Sequence, residues 1–201
     1  MKATSFRSLC NGVRRDECGS ISMEFVIVMP FLLFLVTNGL AYWDAFQSNS
    51  KTAKIAYTIS DIVSRYEVVD NADMADLSGV QNKMLDPNLD RRSLRISSIC
   101  FENGVHRVLW SYSAGSNDIA APAALTDADI PVAILPAMAP QDSIILTEVA
   151  ARWQPRLHVG VESRMWRSEL VTKPRFVKVI PHETLNPSNI CPGGGLVGFG
   201  G

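Results

Sequence analysis

The sequence predicts an α+β protein with a long N-terminal helix, a second helix and a small antiparallel sheet. Three observations carry this. Residues 20–43 hold a single charge, Glu24. Farther on, Ile55, Ile59, Ile62, Val63 and Tyr66 recur at spacings of three and four. Beyond them, two alternating apolar–polar stretches flank Asn103-Gly104, a strong two-residue hairpin signal.

The first helix is expected over 20–69, bending near Pro30 or the Asn38-Gly39 pair. A 24-residue helix spans about 36 Å at 1.5 Å per residue, enough for a bilayer core. Tyr42 and Trp43 at its far end suit a membrane interface. Pro30 lacks an N–H and reads as a tolerated membrane kink. Lys2, Arg7, Arg14 and Arg15 precede the run, whereas Asp44 follows it and no cation appears until Lys51. This charge bias puts the N-terminus in the cytoplasm and the rest of the chain outside. The second half of the helix packs its isoleucine stripe inward, with Ser48, Lys51, Lys54, Asp61 and Arg65 mostly off it.

Asn71 is the expected N-cap of the second helix, with Asp73 in its first turn. Met74, Leu77 and Met84 supply its inner face, and Pro87 ends it. In the first strand Leu94 and Ile96 alternate with polar residues, then Ile99 and Phe101 do so out of phase. A bulge is expected at Ser97-Ser98. The return strand covers 105–113, with Val108, Trp110 and Tyr112 on one face. Residues 114–141, rich in alanine and proline, read as a long loop with a short helix at 131–135. Strands are expected at 143–153 and 175–180. The Gly-rich tail over 191–201 reads as mobile.

A chain of 201 residues and net charge -1 gives no sign of a nucleic-acid binder. Chemistry-bearing motifs are also lacking. His106, His158 and His182 are scattered and show no metal-ligand spacing. Ser48-Asn49-Ser50-Lys51 has the S-x-x-K spacing without a K-T-G companion. Asp127 and Asp129 read as a solvated loop rather than calcium ligands. No enzyme activity, cofactor or metal is expected.

The opening stretch Arg14 to Pro30 admits three readings. A secretory signal peptide would be cut after Ala41, at Gly39-Leu40-Ala41, releasing a soluble periplasmic or extracellular binding domain. An uncleaved signal anchor would let Glu24 snorkel to the cytoplasmic edge. The third reading takes Gly19 and Glu24 together. Gly19-Ser20-Ile21-Ser22-Met23-Glu24-Phe25 resembles the processing site of type IV prepilins. There a basic leader ends in glycine, a membrane aspartyl peptidase cuts after it, and the fifth mature residue is glutamate.

In the Tad (tight adherence) pilus system an aromatic follows that glutamate, usually tyrosine; Phe25 keeps the ring without the hydroxyl. Together with the long helix, the sheet segments, Ile134-Leu135-Pro136, Arg152-Trp153-Gln154-Pro155 and Lys173-Pro174-Arg175, the chain is similar to the TadE-like family, the TadE/TadF pseudopilins of Tad/Flp type IVb pili. The D-x-S-x-S signature of the larger TadG-like relatives is absent.

The resemblance implies a pilin-like helix with membrane and periplasmic halves. It divides the chain into a leader (1–19), a transmembrane helix (20–45), a periplasmic α+β domain (46–190) and the Gly-rich tail (191–201). Gly19, Ser20, Glu24 and Phe25 would serve processing, and Glu24 would set subunit register in assembly. The implied partners are other pilins or pseudopilins, the prepilin peptidase and the inner-membrane assembly platform. The implied location is the bacterial inner membrane, as a single-pass protein whose subunits join the pilus or its base. Removing the leader leaves Cys100 and Cys191, an even pair in an oxidising compartment, so a disulfide is expected.

Overall fold

The computed structural model describes residues 18–85, 92–116, 119–155, 160–187 and 191. It contains helix α1 (Cys18–Val63), helix α2 (Asn71–Met84) and strands β1 (Arg92–Glu102), β2 (Val105–Gly115), β3 (Ser143–Trp153) and β4 (Arg164–Thr172). Short 3-10 turns lie at Asp127–Asp129 and Val132–Ile134. The architecture is α+β. The chain forms two compact units, divided between Asp44 and Ala45, and Pro155–Glu162 belongs with the first.

In the first unit α1 runs unbroken through Pro30 and Gly39. From Ser22 onward it is long and apolar enough to cross a membrane. Phe25, Phe31, Phe34 and Leu35 are exposed along it. Two polar side chains inside the run are satisfied locally. Thr37 Oγ1 donates to the Leu33 carbonyl at 2.8 Å, and Asn38 Nδ2 donates to that of Phe34 at 2.8 Å. Such bonds to the preceding turn remove the cost of bare donors in an apolar medium.

In the second unit the four strands form one antiparallel sheet in the order β2-β1-β3-β4. One face is covered by helices: Ile55, Ile59 and Val63 of α1 and Met74 and Leu77 of α2 pack with Leu94, Ile96, Ile145 and Val149. The opposite face is covered by the loop before β3, whose Leu125 and Ile130 pack on Ile99, Ile144 and Leu146. Burying both faces explains why β3 reads as a nearly continuous apolar run.

Local chemistry sets the element ends. The turn at Asn103-Gly104 has φ of 49° and 79°, the left-handed pair a two-residue hairpin requires. At the far end of β2, a Cβ on Gly115 would lie 2.4 Å from the Ile119 carbonyl oxygen, so the chain turns back there only over glycine.

Several expectations are corrected. The first helix ends at Val63, not near 69, and Ser48 is buried rather than off the packed face. Asp70, not Asn71, caps α2. Its carboxylate accepts the Asp73 N–H at 2.7 Å and Asp73 reaches back to the Asp70 N–H, a reciprocal capping box. Met84 is exposed; Gln81 takes the inner position and donates to the Ser93 carbonyl at 3.1 Å. Pro87 lies outside the described residues, as do the leader residues before Cys18 and the tail beyond Cys191.

The phase change in β1 marks a change of covered face, not an extra residue. Leu94, Ile96 and Cys100 face the helices while Ile99 faces the loop, in unbroken alternation. The bulge is on β2, where Leu109 is the extra residue between the Ser98–Trp110 and Ile99–Val108 pairs. Val108 therefore faces the loop and Trp110 the helices. The return strand reaches Gly115. The short helix expected at 131–135 is a single 3-10 turn. No strand forms over 175–180, and the fourth strand is Arg164–Thr172.

Candidate functional site

The residues singled out by sequence fall at two places. Gly19, Ser20, Glu24 and Phe25 all belong to the start of α1. Glu24 and Phe25 are exposed, among exposed Met23, Val26 and Ile27. Glu24 is the only charged side chain between Ser22 and Trp43, so one carboxylate interrupts a surface otherwise fit for lipid. Helical geometry puts Ser20 one turn before Glu24.

Cys100 and Cys191 form a disulfide with a Cα–Cα distance of 6.0 Å. Both are buried. The bond fastens the chain's C-terminal segment to β1 just before the hairpin.

That segment, 173–187, is held without regular structure. Arg175 donates its N–H to the Ser64 carbonyl at 2.8 Å. Its guanidinium meets Asp61 Oδ1 at 2.5 Å, and Arg65 meets Oδ2 at 2.8 Å, so one carboxylate ties two cations. Lys173 pairs with Asp142 at 2.6 Å, which holds that carboxyl below its ordinary value. Val69 donates to the Pro181 carbonyl and accepts from the Glu183 N–H.

His182 is fully buried against the Trp110 ring, their centroids 5.6 Å apart. Its Nδ1 accepts the Thr184 and Leu185 N–H groups at 3.3 Å. Burial pushes its pKa down, against the opposing pull of Asp70 and Glu183. It is a structural histidine of the core.

On the loop-covered face Arg95 forks onto Glu148, with Nη2–Oε1 at 2.6 Å, and the hydrogen bonding holds the guanidinium protonated. Glu169 of β4 is the next cross-strand neighbour of Glu148. Sequence reasoning missed this row because β4 was not recognised. Its signal in the sequence is weak, because Arg167, Ser168 and Glu169 separate the apolar pairs Met165-Trp166 and Leu170-Val171.

Asp127 and Asp129 brace the loop: Asp127 Oδ1 accepts the Val108 N–H at 2.7 Å and Asp129 accepts the Thr126 hydroxyl at 2.6 Å. Among the described residues no group of three or more His, Cys, Asp or Glu side chains is placed to hold a metal. Comparison of the chain with protein-family models, with curated proteins and with solved structures found no match.

Proposed function

We propose that the chain is a minor pilin-like (pseudopilin) subunit of a Tad-type pilus assembly apparatus, acting by subunit contacts rather than catalysis. A prepilin peptidase removes residues 1–19. The mature chain is held by α1 in the bacterial inner membrane, with its α+β domain in the periplasm. Its partners are other pilins or pseudopilins, the peptidase and the assembly platform.

One observation carries the reading: Glu24 stands alone on the apolar surface of α1, one turn after the Gly19–Ser20 bond. A lone carboxylate in a membrane helix costs about 2.5–3.5 kcal/mol on insertion scales, so it calls for a partner. Cleavage after Gly19 creates that partner, the new ammonium of Ser20, on the same chain or its neighbour. The disulfide fits an oxidising compartment.

The test is N-terminal sequencing of the mature protein from cells with and without the cognate peptidase. The expected start is Ser20, and only with the peptidase. A start at Met1 in both strains, or a soluble product beginning after Ala41, overturns the proposal.

A further inference from the structure

The two outer strands of the sheet are finished differently. At the outer edge of β2, Asp127 accepts the Val108 N–H, Asn186 Nδ2 donates to the Leu109 carbonyl at 3.2 Å, and the Leu109 bulge breaks the row. β4 has no such cover. It pairs with β3 along its length without a bulge, and among the described residues no other backbone group bonds to it. A bare row of N–H and C=O groups is a template for another strand.

The order of side chains along β4 selects that strand. Arg167 and Glu169 are exposed on either side of Ser168, and among the described residues neither forms an ion pair. Across β3, Arg167 meets Ala150, and Glu169 meets Glu148, whose own cation is Arg95. Neither therefore has an opposite charge as its strand neighbour. A second β4 laid antiparallel alongside, with Ser168 facing Ser168, supplies both. Arg167 of each strand falls opposite Glu169 of the other. Met165 falls opposite Val171 and Trp166 opposite Leu170, apolar side chains that are half-buried at the edge. Two-fold symmetry makes each of these pairs occur twice, and pairs of both kinds stabilise a sheet.

The register is selected with the partner. An axis through residue 167 sets Arg167 on Arg167, and an axis through residue 169 sets Glu169 on Glu169. Like charges directly opposite each other destabilise a sheet. The Gly-rich tail over 192–201 carries no charge to answer either residue. A second copy also presents its strand already held by β3, so pairing orders no new chain.

We propose that two copies of the chain pair through the outer edges of β4, antiparallel about a two-fold axis at Ser168, with Arg167 of each copy opposite Glu169 of the other. The two sheets then run on as one. The pairing involves only the second unit and does not rest on the function proposed above. A single shared edge buries little surface, so the dimer exchanges with monomer and is best read by a covalent trap.

The test uses the full-length protein in detergent micelles, with Cys10 and Cys18 changed to serine; Cys100 and Cys191 are already bonded to each other. Ser168→Cys is oxidised and run on a non-reducing gel, and the expected product is a reducible dimer. Arg164→Cys gives none, because the two copies of residue 164 lie about 27 Å apart along the paired strands. Arg167→Glu or Glu169→Arg, each added to Ser168→Cys, turns both ion pairs into like-charge pairs and lowers the dimer yield roughly tenfold. Joined in one chain, the two reversals are complementary again and restore the dimer, which also shows that the single losses are not failures to fold. Equal yields from positions 164 and 168, no dimer from 168, an unchanged yield after either single reversal, or no recovery in the joined variant overturns the proposal. A crosslink from 168 in cell membranes to a different protein, in place of a second copy, overturns it too.

Discussion

Trp110 on β2 donates its indole N–H to the carbonyl of Ile180 at 2.8 Å, across 70 positions of sequence and wholly inside the core. The bond fixes an irregular segment that no strand ladder holds. Trp110→Phe leaves the Ile180 carbonyl buried without its donor and opens a small void. The expected loss is about 2–3 kcal/mol. Urea unfolding of the full chain in detergent, followed by circular dichroism, measures it; an unchanged midpoint shows the segment is held by its other contacts alone.

Cys100 and Cys191 close a loop with a sequence separation of 91. The chain-entropy relation gives about 4–5 kcal/mol for a loop of that size. Replacing both cysteines with alanine should therefore lower the unfolding midpoint sharply while leaving the helix content of the folded protein intact. Non-reducing electrophoresis of the wild type supplies the control: reductant should slow its mobility and should not affect the variant.

His182 gives the domain an acid-side weakness. Its folded-state pKa lies below the ordinary value of about 6.5, because burial disfavours the charged ring. Above that value the ring is neutral in both states and pH has no effect through it. As pH falls below about 6.5 the unfolded chain takes up the proton first, so stability declines until the folded pKa is reached, then levels off. His182→Gln should flatten the dependence of melting temperature on pH between neutrality and pH 5. An equal slope in wild type and variant would assign the acid sensitivity to other groups.

Arg95 and Glu148 are about one-fifth exposed, so their fork is only partly screened. The two partners are not equivalent. Arg95→Met leaves Glu148 opposite Glu169 without its cation, whereas Glu148→Gln removes one of the two opposed carboxylates. Arg95→Met should cost about 2–3 kcal/mol and Glu148→Gln about 1 kcal/mol. Adding Glu169→Gln to Arg95→Met should recover part of the loss, and a double-mutant cycle in urea measures the coupling.

Strong local signals in the sequence located the elements they govern. Asn103-Gly104 placed the hairpin, and the apolar run of β3 placed its bounds at Ser143 and Trp153. Patterns that depend on distant cover were misread. Ile99 falls out of phase with Ile96 because a loop 26 residues farther on, at Leu125, buries the second face of the sheet. Periodicity reports only that both residues are apolar. β4 escaped notice because Arg164, Arg167 and Glu169 dilute its apolar pattern, as an exposed edge strand's charges do. Residues 175–180 read as a strand because Phe176, Val177, Val179 and Ile180 are apolar. Yet Ser143 Oγ and Trp110 Nε1, not a neighbouring strand, engage the carbonyls of Lys178 and Ile180. Ser48 is polar yet buried, because a small hydroxyl fits close packing at little cost.

Glu24→Gln separates processing from assembly. The substitution keeps the shape of the side chain and removes its charge, so insertion of α1 becomes easier. Under the function proposed above, the peptidase reads the leader and the helix start as well as Glu24, and cleavage should persist at reduced efficiency. In the proposed processed chain the Ser20 ammonium then has no carboxylate one turn away or on a neighbour, and apolar matching would leave adjacent helices free to slide along one another. Pilus assembly should fail while the mature protein accumulates in the membrane. Immunoblotting for leader removal and electron microscopy for pili read the two steps separately. Normal piliation with Gln at this position would remove the carboxylate from any part in setting register.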